Sequence, residues 1–192
     1  KLTGGDSNGE IDVTIGLGAA SVTTIAGNLA LSGDTITSAA DLNIVATGND
    51  ITVDTDNFVI ASSTAQKPFL ELKNTNTDNK SSVLQFTKDK GAAGADGDFI
   101  GIIDFMGDDA AQTQMRFARI TAQVSEADNT DEAGKLTFSV AESDGTTTNL
   151  TPGLVIEGEH ATDGEVDVTI AAGDASTTTI AGTLTMGSTA AL

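Results

Sequence analysis

The sequence predicts an all-β protein in which thin β-helical shaft segments flank an antiparallel β-sandwich domain. Three observations support this prediction: short pairs of alternating apolar residues in the outer segments, longer strand-like runs in the middle, and a change of composition between them. No stretch repeats apolar residues at the three- and four-residue spacing of an amphipathic helix. We therefore expect strands and turns throughout the chain.

Composition divides the 192 residues into three segments. Eight of the nine cations lie between Lys67 and Lys135, and six of the seven phenylalanines lie between Phe69 and Phe138. The flanks are acidic and rich in small side chains. The predicted domains are a β-helical shaft at 1–65, an antiparallel sandwich at 66–157, and at 158–192 a second shaft that begins the next repeat.

The first shaft segment is predicted from apolar residues two positions apart, which point to the same face of a short strand. Its pairs are Val13 with Ile15, Leu29 with Leu31, Leu42 with Ile44, Ile51 with Val53, and Phe58 with Ile60. Turn-forming runs such as "SGD" at 32–34 and "TGND" at 47–50 separate several of them. The pairs follow one another too closely for long meander strands.

Strands this thin cannot bury enough apolar area on their own to offset the entropy of ordering the backbone. Three copies intertwined around a common axis would bury the apolar pairs between them, as a triple β-helix. The residues predicted to pack on this axis are Val13, Ile15, Ile25, Leu29, Leu31, Leu42, Ile44, Ile51, Val53, Val168, Ile170, Ile180 and Leu184. The alternative is a single-chain β-solenoid with stacked coils, although its coils usually need about 20 residues or more.

The middle segment contains six strand candidates separated by turn-rich spacers, the pattern of a sandwich or small barrel. They span 68–74, 82–88, 98–107, 115–126, 134–143 and 153–158. The third is apolar on both faces, so we expect it to be central or to lie at an interface. In the fourth, the apolar residues change from odd-numbered to even-numbered positions, which predicts a β-bulge near Ala118. Arg116 and Arg119 are three apart, an odd spacing that predicts opposite faces.

One sequence motif occurs twice, 155 residues apart. Residues 9–31 and 164–186 are identical at 15 of 23 positions, sharing "G-E-x-D-V-T-I" and "S-x-T-T-I-A-G-x-L". Conserved order over this length is not explained by composition alone. The chain is therefore expected to be a window on a longer modular array, with one complete module and the start of the next.

With these motifs in view, the chain resembles the long trimeric tail-fibre proteins of tailed bacteriophages, particularly those of marine phages. The resemblance covers most of the chain and rests on "TTIAGNLALSGDTIT" (23–37), "KPFLELKNTNTD" (67–78), "GADGDFIGIIDFMGDD" (94–109), "ARITAQVSEADNTDEAGKLTFSV" (118–140) and "GLVIEG" (153–158). It implies a homotrimeric β-fibre on a virion that is used in host attachment. We recognise neither an anchoring domain nor a receptor-binding tip, so this chain is expected to be shaft and spacer, with any host receptor bound elsewhere on the fibre.

Charge and composition exclude several partners and sites. The net charge of −19 repels nucleic-acid phosphates and anionic lipid. Because there is no cysteine, disulfides and thiolate metal sites are excluded. No apolar run approaches the length of a membrane span. A fibre on a virion, or otherwise outside the cell, is the expected location.

Few residues indicate chemistry, and we expect no enzyme. His160 is the sole histidine and has no nucleophilic serine motif or cysteine near it. A sugar-cleaving site usually has tryptophan or tyrosine platforms, and the chain has neither. Calcium is the one cofactor considered, at Asp128, Asp131 and Glu132, because closely spaced carboxylates suit a hard cation. The competing interpretation is that these residues simply form a turn.

The sequence thus supports a structural module of a trimeric fibre, with itself as the main partner. The alternative is an extracellular filament or adhesin of a prokaryotic cell surface, built from the same repeats as a single-chain solenoid or polymer.

Overall fold

The computed structural model describes residues 2–4, 11–13, 36, 38, 42, 44–45, 51–160, 164–171, 173–185 and 187. The chain divides into two compact units, Lys1–Pro68 and Phe69–Leu192. Every regular element of the described residues is a β-strand. The all-β prediction is therefore confirmed for this part of the chain.

The second unit contains a five-stranded antiparallel meander. Its strands, in both chain order and sheet order, are β3 (Phe99–Asp108), β4 (Gln114–Glu126), β5 (Ala133–Ser143), β6 (Thr148–Gly158) and β7 (Val166–Ile170). Each strand pairs with the next along the chain. The four predicted strands from 98 to 158 are present, the last of them longer than predicted.

Short turns with local carboxylate caps connect neighbouring strands. Between β3 and β4, Asp109 Oδ1 accepts hydrogen bonds from the backbone N–H groups of Ala111 and Thr113, both at 2.8 Å. Between β5 and β6, Asp144 Oδ1 accepts two more from Thr146 and Thr147, also at 2.8 Å. These backbone donors hold the pKa of Asp144 below its usual range. Aspartate is frequent in such turns because its carboxylate bonds backbone groups two or more residues ahead.

Cross-strand register separates the apolar residues of this sheet from the polar ones, since directly opposed residues share a face. One face is formed by three transverse rows, which we call the apolar face: Ile103, Ile120, Phe138, Leu154 and Ile170; Gly101, Ala122, Leu136, Ile156 and Val168; and Phe105, Ala118, Val140 and Thr151. The opposite face, which we call the polar face, includes Asp104, Arg119, Thr137, Lys135, Glu157 and Thr169.

Register shifts between paired strands keep the apolar and the polar residues on opposite faces of the sheet. The register shifts where Phe105 and Met106 of β3 oppose Ala118 and Arg116, which leaves Phe117 as an extra residue in β4. The predicted β-bulge near Ala118 is thus confirmed. A second shift, between Phe138 and Ser139 of β5, leaves Gly153 as the extra residue of β6.

The first unit contains a two-stranded antiparallel pair, β1 (Leu2–Gly4) with β2 (Ile11–Val13). β2 lies in the first copy of the repeated motif, and β7 lies in the second. Both copies therefore place their "D-V" dipeptide in the second strand of an antiparallel pair. The same local sequence gives the same local pairing.

Two parts of the predicted fold are not formed by the described residues. The sheet is single and open, without the second layer of a sandwich, and 51–98 contains no strand. The strands expected at 68–74 and 82–88 are not formed in the single chain, nor are strands at 51–53 and 58–60. A strand needs a neighbour for its backbone hydrogen bonds, and here none is supplied. The triple β-helix is not formed by these residues of one chain.

Candidate functional site

The apolar face is the candidate functional site, because its three rows contain no charged residue and many of its large side chains are exposed. No hydrophobic residue in the described part of the chain is buried. Phe105 keeps 51% of its surface exposed, Phe138 36% and Val168 56%. Soluble monomers rarely expose a contiguous apolar patch of more than a few hundred Å², and larger ones mark interaction surfaces. The arrangement is therefore suited to binding another apolar surface.

Phe86, from the segment before β3, touches this face. Phe86 lies against Gly101, so that a Cβ added at Gly101 would come within 2.9 Å of Phe86 Cβ and 3.0 Å of its Cγ. Because Gly101 has no side chain, it leaves room for the ring of Phe86. Phe86 is itself 46% exposed.

The edges of the sheet are a second unpartnered feature. Among the described strands, none pairs with the outer side of β3 or of β7. β3 was expected to be central or at an interface because it is apolar on both faces. It lies at an edge of the described sheet, so the central position is wrong, and a position at an interface stays a prediction. A long apolar edge strand is a ready template for pairing with another chain.

An open groove of about 710 Å³ adjoins the apolar face between Val140, Thr151 and Ile170. Glu142 is the one carboxylate in its lining, and it accepts a hydrogen bond from the Thr151 hydroxyl at 3.2 Å. Canonical hydrolysis of a glycosidic bond uses two carboxyl groups that flank the bond. The groove lining supplies one.

The polar face carries a compact charge cluster at β3 and β4. Arg119 donates two hydrogen bonds to Asp104, from Nε to Oδ1 at 2.7 Å and from Nη2 to Oδ2 at 2.9 Å. Arg116 Nε also lies 2.7 Å from Asp104 Oδ1, although its N–H is not aligned for a hydrogen bond. The prediction that the two arginines face opposite sides is wrong, because the bulge residue Phe117 lies between them and restores a common face.

These contacts shift the titration of the cluster. The hydrogen bonds from Arg119, supported by Arg116 and opposed by desolvation, lower the pKa of Asp104 to about 2. The hydrogen bond with Asp104 in turn raises the pKa of Arg119. On the neighbouring strands, Lys135 Nζ pairs with Glu157 Oε1 at 2.9 Å. Asp104 and Glu157 on the polar face thus find cationic partners within one chain, whereas large hydrophobic side chains of the apolar face stay exposed.

The three calcium candidates lie in the β4–β5 connection and do not converge. Asp131 faces His160, Glu132 Oε1 accepts the Thr130 backbone N–H at 3.2 Å, and Asp128 accepts the Asp131 backbone N–H through its carbonyl. In the described ranges, no three His, Asp or Glu side chains are grouped so that they could hold a metal ion. The turn interpretation accounts for these contacts, and calcium binding stays a prediction.

His160 follows β6 and meets the same connection. Its Nδ1 lies 3.4 Å from Asp131 Oδ2, and both side chains are about half exposed. The hydrogen bond to Asp131 raises the pKa of His160. The contact joins one ring nitrogen to one carboxylate oxygen at the surface of the protein.

The predicted axis residues are only partly described. Leu42, Ile44, Ile51, Val53, Ile180 and Leu184 are exposed outside strands, whereas Val168 and Ile170 lie on the apolar face in β7. The backbone of Val13 lies in β2. Ile15, Ile25, Leu29 and Leu31 lie outside the described residues. That these residues meet on a trimer axis stays a prediction.

Sequence reasoning missed the central row of the apolar face, notably Ile120, Phe138 and Leu154. The signal was present as alternation within each predicted strand. Only the register between strands shows that the apolar sides of neighbouring strands lie on the same face of the sheet. That register was not assigned from the sequence.

Comparisons with known proteins add no family to this description. No family model, curated protein or solved structure matches the chain. Within the described residues, no helix has the length and apolar character needed to cross a membrane.

Proposed function

We propose that this chain is a structural, non-enzymatic module of an extended homotrimeric fibre, acting as shaft and spacer of a phage tail fibre used in host attachment. The observation that carries the proposal is the absence of any buried hydrophobic residue in the described part of the chain. A folded chain that hides none of its large apolar side chains needs other chains to complete its core.

A trimer also accounts for the parts of the predicted fold that one chain does not form. The second layer of the sandwich would come from neighbouring sheets, and the exposed apolar pairs at 51–53 and 58–60 would stack around the shared axis. The strand-like segments 68–74 and 82–88 would find backbone partners at the same time. The resemblance of the sequence to tail-fibre proteins supports a virion as the location.

A cell-surface filament or adhesin is the second candidate, and the open edges of the sheet favour it. β3 and β7 lack strand neighbours in the described sheet, so copies could add edge to edge into a polymer without a closed threefold axis. The repeated motif is as compatible with such a filament as with a tail fibre.

Antibody labelling separates the two candidates. Antibodies raised against the purified chain should decorate the tails of virions in electron micrographs of the source material, at a fixed distance from the capsid. Decoration of filaments on uninfected cells would instead support the adhesin, and would contradict the tail-fibre assignment.

A further inference from the structure

The apolar face carries no charged residue in any of its three rows, although the chain as a whole has a net charge of −19. The polar face of the same strands carries charges of both signs, Asp104, Glu157 and Asp167 beside Arg116, Arg119 and Lys135, and most of them pair within one chain. The apolar face is the side of the sheet on which copies of this acidic chain can meet without bringing any charged row together.

The size of the face suits a stable contact between chains. Five strands about 4.8 Å apart make it about 24 Å wide, and three rows spaced two residues apart make it about 20 Å high with their side chains. The projected area is on the order of 500 Å², comparable in scale with the ~800 Å² of accessible surface that each partner contributes to a standard interface. Phe86 contacts it at Gly101.

We propose that the apolar face is the interface between copies of this chain, each copy turning this face of its sheet toward the others across a symmetry axis. The inference rests on the proposed homo-oligomer and adds the surface by which it forms. Ile120, Phe138 and Leu154 lie at the centre of this interface. Val140 and Val168 lie nearer its margins and are more than half exposed in the single chain.

Thiol labelling tests the interface, because the chain contains no cysteine that would compete. Val168→Cys places one thiol on the apolar face, and Thr169→Cys places the matched control next to it on the polar face. Both positions are exposed in the single chain, and both substitutions are small enough to keep β7. In the native assembly we expect a maleimide reagent to modify Val168→Cys at least about tenfold more slowly than Thr169→Cys. The difference should disappear in denaturant.

The outcomes distinguish the interface from the proposed function when the mass of each labelled protein is measured as well. An assembled protein in which both thiols react equally fast overturns the interface and leaves the fibre proposal standing. A protein with the mass of one chain overturns both. A single chain that nevertheless protects Val168→Cys shows that its own residues cover the face, which also overturns the interface between copies.

Discussion

Phe138→Asp is expected to reduce the assembled protein to single chains. Phe138 lies at the middle of the central row, between Ile120 of β4 and Leu154 of β6. In the proposed assembly this change buries one unpaired carboxylate from each copy near the others. An uncompensated buried charge costs about 3–5 kcal/mol, which weakens association by roughly two to three orders of magnitude. Light scattering at micromolar concentration should detect the loss of mass.

The matched control for this variant is Thr137→Asp, which introduces the same charge one residue away on the polar face. It should keep the mass of the wild type. Far-UV circular dichroism should report comparable β-structure in both, because Phe138 is already more than one third exposed in the single chain. Equal masses for the two variants would mean that the apolar face is not an interface.

Asp104→Arg is expected to have the largest effect of any substitution on the polar face. It replaces the shared carboxylate of Arg116 and Arg119 by a third guanidinium and turns attraction into repulsion between β3 and β4. We expect the thermal midpoint to fall by roughly 5 °C or more. Asp108→Arg, at the end of the same strand, is the control and should change the midpoint little. The double variant Asp104→Arg/Arg119→Asp should recover part of the loss if the pairing is responsible.

The dependence of folding stability on pH in the acid range provides a second test of the contacts between Asp104 and the two arginines. The pKa of Asp104 is about 2 in the folded chain, below the ~3.9 of an unperturbed aspartate. Its contribution is therefore present above pH ~4 and is lost as the pH falls toward 2. The difference in stability between the wild type and Asp104→Asn should shrink over this interval. A constant difference would contradict the assigned contacts.

The middle of the fold was predictable because its strands carry strong local signals. Alternating apolar residues and turn formers placed strands at 98–107, 115–126 and 134–143, and the structure has strands there within two residues. The apolar residues of "MRFARITAQV" change from odd to even positions, which predicted a bulge near Ala118, and the extra residue in the structure is the adjacent Phe117. Strand identity depends on side chains that are close in sequence, so one sequence is sufficient to predict it.

The remaining features depend on neighbours that are far away in sequence. Local spacing placed Arg116 and Arg119 on opposite faces, and the effect of the bulge between them reversed that result. The segment 82–88 has a strand-like pattern, but its Phe86 contacts Gly101 without backbone pairing in the single chain. The apolar face itself arises from the register of five strands. Propensity does not determine which backbone lies beside which, and that is why the interface was missed.

The mass of the native protein tests the central claim, that this chain completes its hydrophobic core only with copies of itself. Multi-angle light scattering on the full chain, over a series of protein concentrations, measures it without reference to shape. We predict a value close to three times the 19.4 kDa of one chain, constant across the series. A folded protein that keeps the mass of a single chain at every concentration would contradict the claim.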